Sequence, residues 1–222
     1  MALSNTLRFT RQRYGRAYST GEAFNYCVSV VKQHDHDNYL GGLLMPRSCQ
    51  PHFFAIRAYN VEIASIKDQS NNNALTARVR FQWWRDIIDR AYSNSSAISS
   101  EHPVAHALQS SIRQKNLNRR WIEKLIESRQ MDVSIEQYET LSDLETYAER
   151  SCSPILYLLL ELMGVNNEKA DYAASHIGVS SGLVTCLRSL PYFAMKVPYT
   201  VYYPRCMLFT NYTRIKFPSL VT

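Results

Sequence analysis

Residues Ala58–Asn73, AYNVEIASIKDQSNNN, end an apolar helix and lead the chain into a polar turn. The helix begins upstream in PHFFAIRAYNVEIASI (51–66), which opens on a proline suited to a first helical turn and is apolar nearly all round. Its carboxylates raise the first functional question. Glu62 and Asp68 are six positions apart, which is about 240° around a helix of 3.6 residues per turn. They therefore point to different faces. Two carboxylates that share one Mg²⁺ need a spacing of three or four. The helix looks built for an acidic site, yet its acids are not placed to make one.

Outward from this segment, hydrophobic periodicity predicts helices almost everywhere after Glu22. EAFNYCVSVVKQHD (22–35) puts Phe24, Cys27, Val28 and Val31 on one side. ALTARVRFQWWRDIIDRAYS (74–93) aligns Leu75, Val79 and Trp83 with Ile87 and Tyr92. HPVAHALQSSIRQ (102–114) again has a proline at a helix start, and NRRWIEKLIESRQMD (118–132) follows. SDLETYAERSCSPILYLLLELMG (142–164) opens with Ser142 and Glu145 at capping-box spacing, carries Pro154 where a kink is expected, and closes on Gly164. EKADYAASHIGVSSGLVTCLRSL (168–190) is rich in small residues that allow close packing. That makes seven helices, no strand before residue 191, no internal repeat and no glycine-rich phosphate loop.

Of the 222 residues 45% are apolar, with only 7 glycines and 8 prolines, which suits one helical domain plus appendages. The five cysteines, Cys27, Cys49, Cys152, Cys186 and Cys206, have no metal-binding spacing and read as free thiols. The formal charge of +6 is uneven: residues 1–21 hold Arg8, Arg11, Arg13 and Arg16 and no acid. An arginine-rich, acid-free start with Ser and Thr has the pattern of a mitochondrial transit peptide. Arg16-Ala17-Tyr18-Ser19 places an arginine two residues before a cut after Tyr18. Removing the four arginines takes the charge from +6 to +2, which gives no reason to expect nucleic acid. The expected division is a transit peptide at 1–18, a helical domain at 22–207 and an atypical tail at 208–222. The segment after residue 190 holds four of the eight prolines, eight of the 26 aromatics and no acid or helical stripe. No apolar run reaches the ~18–20 residues of a membrane span.

Among candidate site residues, HDHD at 34–37 could chelate a metal from a loop, but without a third partner it reads as a solvated connector. Trp83 and Trp84 lie on adjacent helix faces, so at least one is core, and Arg85 reads as a buried ion-pair partner. Asp132 is an isolated acid at a helix end, by default solvated or capping. Arg188 sits in an apolar helix, where an unpaired charge is costly, and so calls for a carboxylate or a phosphate.

The ordered run FAIRAYN, WWRDIIDRAY, HPVAHAL, RQMDVSIEQYETLSDLETYAERSCSPILYLLLELMG and HIGVSSGLVTCLRSL resembles the squalene/phytoene synthase family over roughly residues 24–204. Trp84-Arg85, His102-Pro103-Val104, and Asp132 with Tyr138, Leu144 and Tyr147 carry the match. The resemblance implies an all-α isoprenoid-synthase-like helical bundle around an apolar cavity, here incomplete at its C-terminal end. It also implies an ancestry in the joining of prenyl diphosphates, whose charge Mg²⁺ neutralises from two aspartate-rich helices. The first of these motifs aligns with Ala64-Ser65-Ile66-Lys67-Asp68, where only Asp68 remains acidic. The second aligns with Gly182–Ser189, where Arg188 matches but Thr185 and Ser189 replace an asparagine and an aspartate. The family's small-residue stretch aligns with Ser153-Pro154-Ile155-Leu156, whose bulk should narrow the channel.

No catalytic residue, metal site or cofactor is therefore expected, and Arg85, Asp132 and Arg188 stand as residual polar groups of the cavity. Within the family, FNYC, RAYNVEIASIKD, YAERSCSPILYLLLE and AASHIGVSSGLVTCLR look most like a branch of mitochondrial complex I assembly factors. That branch implies a non-catalytic role on the matrix side of the inner membrane, with complex I subunits or other assembly factors as partners and peripheral membrane contact. The alternative is a prenyl-diphosphate transferase or prenyl-lipid binder. N-terminal sequencing of the protein recovered from mitochondria should begin at or near Ser19. A mature chain that retains Met1 would contradict the transit peptide.

Overall fold

The structure, a computed structural model, describes residues 18–70, 73–93, 102–134, 138 and 140–196, with side chains of the last helix as far as 188. Apart from Tyr18, the proposed transit peptide lies outside the described residues, as does the tail at 208–222. Among the described residues there are eight α-helices and no strand. They are α1 (Thr20–His34), α2 (His36–Leu43), α3 (Gln50–Gln69), α4 (Ala74–Tyr92), α5 (Pro103–Lys115), α6 (Arg119–Ser134), α7 (Leu141–Leu162) and α8 (Glu168–Lys196).

Nine residues of α3 are buried: His52, Phe53, Phe54, Ala55, Ile56, Ala58, Tyr59, Ile63 and Ile66. They cover most of its circumference, and α3 packs against α1, α2, α4, α5, α6 and α7. Tyr59, wholly enclosed, donates its hydroxyl to the Ile122 carbonyl of α6 at 3.1 Å. Its ring meets Trp84 edge to face at 5.1 Å. A buried tyrosine needs such a partner for its hydroxyl.

The helix ends have local causes. Ser19 and Glu22 form a capping box on α1. Asn73 caps α4 by accepting from Leu75 N–H at 3.0 Å and Thr76 N–H at 3.2 Å. The box of α7 is Thr140 with Asp143, two residues before the Ser142–Glu145 pair expected from sequence. Both pairs have the same spacing, and the earlier one wins because Leu144 is already buried in the second helical turn. Gly164, at φ 71°, ends α7 in a Schellman turn. Its N–H reaches Glu161 O at 3.0 Å and Val165 N–H reaches Leu160 O at 2.9 Å. α7 continues as one helix through the buried Pro154.

Three further expectations change. HDHD is a helix junction rather than a loop: His34 ends α1, His36 begins α2, and α2 is a helix additional to the seven. Asp35 there is not simply solvated, because it pairs with the Arg57 guanidinium of α3, Nε to Oδ2 at 2.8 Å. On α4 the core stripe is Ala77, Phe81, Trp84, Ile88 and Ala91, with Ile87. Leu75, Val79 and Trp83 are exposed instead. The sequence carries two apolar stripes, and the one with the 4-3-4-3 spacing faces inward. Finally, α8 runs on through Pro191 to Lys196, where no helix was expected.

α8 packs along α7 through its small residues. A Cβ on Gly178 would lie 2.2 Å from Ser153 Oγ and 2.7 Å from Ser153 Cα. A Cβ on Gly182 would lie 2.6 Å from Ala148 Cβ. The opposite side of α8 leaves Ile177, Val184 and Leu187 exposed. In an open helix Gly→Ala stabilises by up to ~1 kcal/mol. Here Gly178→Ala should instead cost about 1–3 kcal/mol through overpacking against backbone. Urea unfolding followed by circular dichroism reads the sign, and a stabilised variant would contradict the close approach.

Candidate functional site

Polarity returns to α3 in its last turns. Ser65 donates to the Glu62 carbonyl at 2.8 Å and accepts from Gln69 Nε2 at 2.9 Å, and Gln69 in turn accepts from Arg80. Glu62 is half-buried among Tyr26, Cys27 and Arg80. Burial raises its pKa, and the Arg80 charge opposes that shift. Asp68 is exposed. The two acids thus diverge as their spacing requires.

Lys67 points elsewhere. Its ammonium donates to the Asp132 carbonyl at 2.8 Å and to Asp132 Oδ2 at 3.3 Å. Asp132 belongs to the last turn of α6, where backbone carbonyls lack helical partners and a cation is favoured. The other carboxylate oxygen, Oδ1, accepts from the Tyr138 hydroxyl at 3.3 Å. The side chains of Lys67 and Asp132 are 22% and 20% exposed, so the pair is largely shielded.

One turn earlier on α6, Arg129 donates from Nη1 to the Tyr147 hydroxyl of α7 at 2.7 Å. Its Nε is fully enclosed, with no hydrogen-bond partner among the described residues. Burial opposes its charge, but Tyr147, Cys152 and Asp132 outweigh that and raise its pKa. The Tyr138 and Tyr147 rings pack at 5.3 Å. Burial raises the Tyr147 pKa to about 12 and raises that of Tyr138 further. Both phenols therefore stay neutral. The result is a node of two cations, one carboxylate and two tyrosines that joins α3, α6 and α7.

The residues singled out from sequence divide around this node. Asp132 lies at its centre, not solvated at a helix end. Arg85 is half-buried and bonds the Gln130 carboxamide at 3.0 Å rather than a carboxylate. Arg188 does not reach the node: it is 71% exposed and meets Asp37, 76% exposed, at 3.4 Å. Ala64 and Ser65 are half-buried, Thr185 is exposed and bonds the Ser181 carbonyl, and the Ser189 side chain lies outside those described. Ser153, Pro154 and Ile155 are buried. Among the described residues no group of three His, Cys, Asp or Glu could hold a metal ion. Arg129 was missed, although it had a signal: Ile122, Leu125, Ile126 and Arg129 share one stripe, so the cation sits on the buried side.

The squalene/phytoene synthase model matches residues 31–213. The chain belongs to the squalene/phytoene synthase family. The helical bundle aligns with squalene synthase HpnC from Alicyclobacillus acidocaldarius at a TM-score of 0.71 and 20% identity, covering 85% of this chain and 68% of that one. It aligns with a dehydrosqualene synthase at 0.67 and 21%, covering 84% and 62%. At those identities the likeness speaks for the fold. The chain is 38% identical over 184 residues to the Bos taurus protein named NADH dehydrogenase (ubiquinone) complex I, assembly factor 6, covering 80% of this chain and 54% of that protein. The human protein of that name is 35% identical over 184 residues, covering 83% and 54%. The Drosophila melanogaster homologue is 34% identical over 177 residues, covering 79% and 53%. The chain spans about half the length of these curated relatives.

Tyr147→Phe removes the hydroxyl that Arg129 donates to. It should lower stability by roughly 1–3 kcal/mol, measured by denaturant unfolding. Tyr172→Phe, at a side chain 70% exposed, should leave stability unchanged. Equal effects of the two would contradict the node.

Proposed function

We propose that this chain is a non-catalytic assembly factor for mitochondrial respiratory complex I, acting on early intermediates at the matrix side of the inner membrane. The observation that carries the reading is identity of 34–38% over about four-fifths of the chain to proteins named as complex I assembly factors. It is supported by the chemistry of the helix ends where the family's enzymes hold Mg²⁺. The first aligned motif offers Ala64, Ser65 and Lys67 before its one acid, Asp68, and the second offers Thr185 and Ser189. The carboxylate nearest the end of α3, Asp132, already has an ammonium on it. Without converging carboxylates the site does not gather the Mg²⁺ that neutralises a diphosphate leaving group in the enzymes.

In this reading the bundle works as a surface, its partners being complex I subunits or other assembly factors, with peripheral contact to the inner membrane. No helix among the described residues is long and apolar enough to cross a membrane. Deletion in cells, followed by native-gel separation of respiratory complexes, should show selective loss of complex I. Unchanged complex I would sink the reading. The same protein, purified and given farnesyl or geranylgeranyl diphosphate with Mg²⁺, should release no pyrophosphate above a heat-killed control. Turnover there would favour the prenyl-transferase alternative.

A further inference from the structure

We propose that Lys67 is a built-in counter-ion that takes the place of the metal, so that the interior polar node is closed and held together by the chain itself. The family implies Mg²⁺ at this end of α3, and the residues present do not fit it. Every oxygen that Asp132 could offer is engaged: Oδ2 and the backbone carbonyl by Lys67, Oδ1 by Tyr138. The remaining acids of α3 do not converge on Asp132. Glu62 lies towards Tyr26, Cys27 and Arg80, and Asp68 is exposed. Arg129, one turn from Asp132 on the same helix, adds a second positive charge whose Nε is enclosed. Among the described residues, a divalent ion entering here would meet two cations and one carboxylate that already has an ammonium on it.

The ammonium also does something a surface ion pair does not. It spans 65 positions of sequence and meets both the side chain and the backbone carbonyl of one residue. It thereby caps α6 and ties that helix end to α3. Through Tyr138 and Tyr147 the tie extends to α7. Hence the chain's own side chains would hold the arrangement that a metal and its ligand hold in an enzyme. This inference concerns the site alone, and its failure would leave the proposed role in complex I assembly untouched.

Thermal unfolding of the purified full chain tests it, measured by circular dichroism in EDTA and in millimolar Mg²⁺. The wild-type Tm should be the same in both. Lys67→Met keeps most of the aliphatic stem and removes the charge. It should lower Tm by roughly 3–6 °C, the shift expected for one lost tie in a domain of this size. Asp132→Asn should lower it less, because the backbone carbonyl still accepts from Lys67. In the Lys67→Met background, Asp132→Asn should add no further loss. Mg²⁺ raising the wild-type Tm, or full additivity of the two substitutions, would overturn the proposal. If the variants do not fold, calorimetric titration of the wild type with MgCl₂ alone still decides. No heat of binding is expected, and saturable binding would refute the built-in counter-ion.

Discussion

α3 is apolar on almost every side, and a helix of that kind is stable only when other helices surround it. Much else in the architecture follows from that constraint. α1, α2, α4, α5, α6 and α7 all contact α3, and all but the short α2, whose one buried residue is Gly42, bring buried apolar side chains to the core. Large aromatic side chains seal several of these contacts: Tyr39 of α2 against Phe54, Tyr59 against Trp84, and Phe24 against His52. Several polar groups in this interior have partners. His52 shares a hydrogen bond with Ser111 at 3.0 Å, and burial lowers its pKa, so the neutral ring is favoured there.

The same constraint locates the site. The polar side chains of α3 nearest the candidate site lie in its C-terminal turns, where Ser65, Lys67 and Gln69 appear. Because α6 lies alongside, the end of α3 meets the end of α6, and Lys67 finds carbonyl and carboxylate together. The second interior cluster obeys the same logic on α7. Glu149 accepts from Ser153 at 2.8 Å, Ser175 at 2.9 Å and Tyr157 at 3.1 Å, so a carboxylate between α7 and α8 is matched by hydroxyls from both helices.

Elements with strong local signals were legible in the sequence: the all-α class, the long apolar α3, the proline starts of α3 and α5, and the glycine end of α7. What was not legible depends on partners remote in sequence. Asp132 reads as solvated until Lys67, 65 positions away, is placed on it. Arg188 reads as buried because its neighbours in α8 are apolar, yet the face it occupies is the one turned from α7. The two stripes of α4 cannot be ranked without α5 and α6. The α7 cap was displaced by two residues because the chain offers the same chemistry twice. In the candidate site, the family pattern named Asp132, Tyr138 and Tyr147, but it gave no sign that they contact one another.

The charge balance of the node gives its chemistry a direction. Among the described residues, Lys67 and Arg129 supply two positive charges against the carboxylate of Asp132, and the phenols of Tyr138 and Tyr147 stay neutral because burial raises their pKa values. In a partly shielded site, at an effective dielectric near 20, two unit charges 4 Å apart interact by about 4 kcal/mol. A divalent cation would double that repulsion against each resident cation and recover it from only one carboxylate. In sites of the enzymatic kind the imbalance is reversed, with carboxylates in excess and the metal making up the difference. On the alignment proposed above, Ala64, Ser65 and Lys67 stand where the enzymes carry acids, which does more than delete ligands. In that reading the sign of the site is inverted, and the node needs no metal for the same physical reason that it disfavours one.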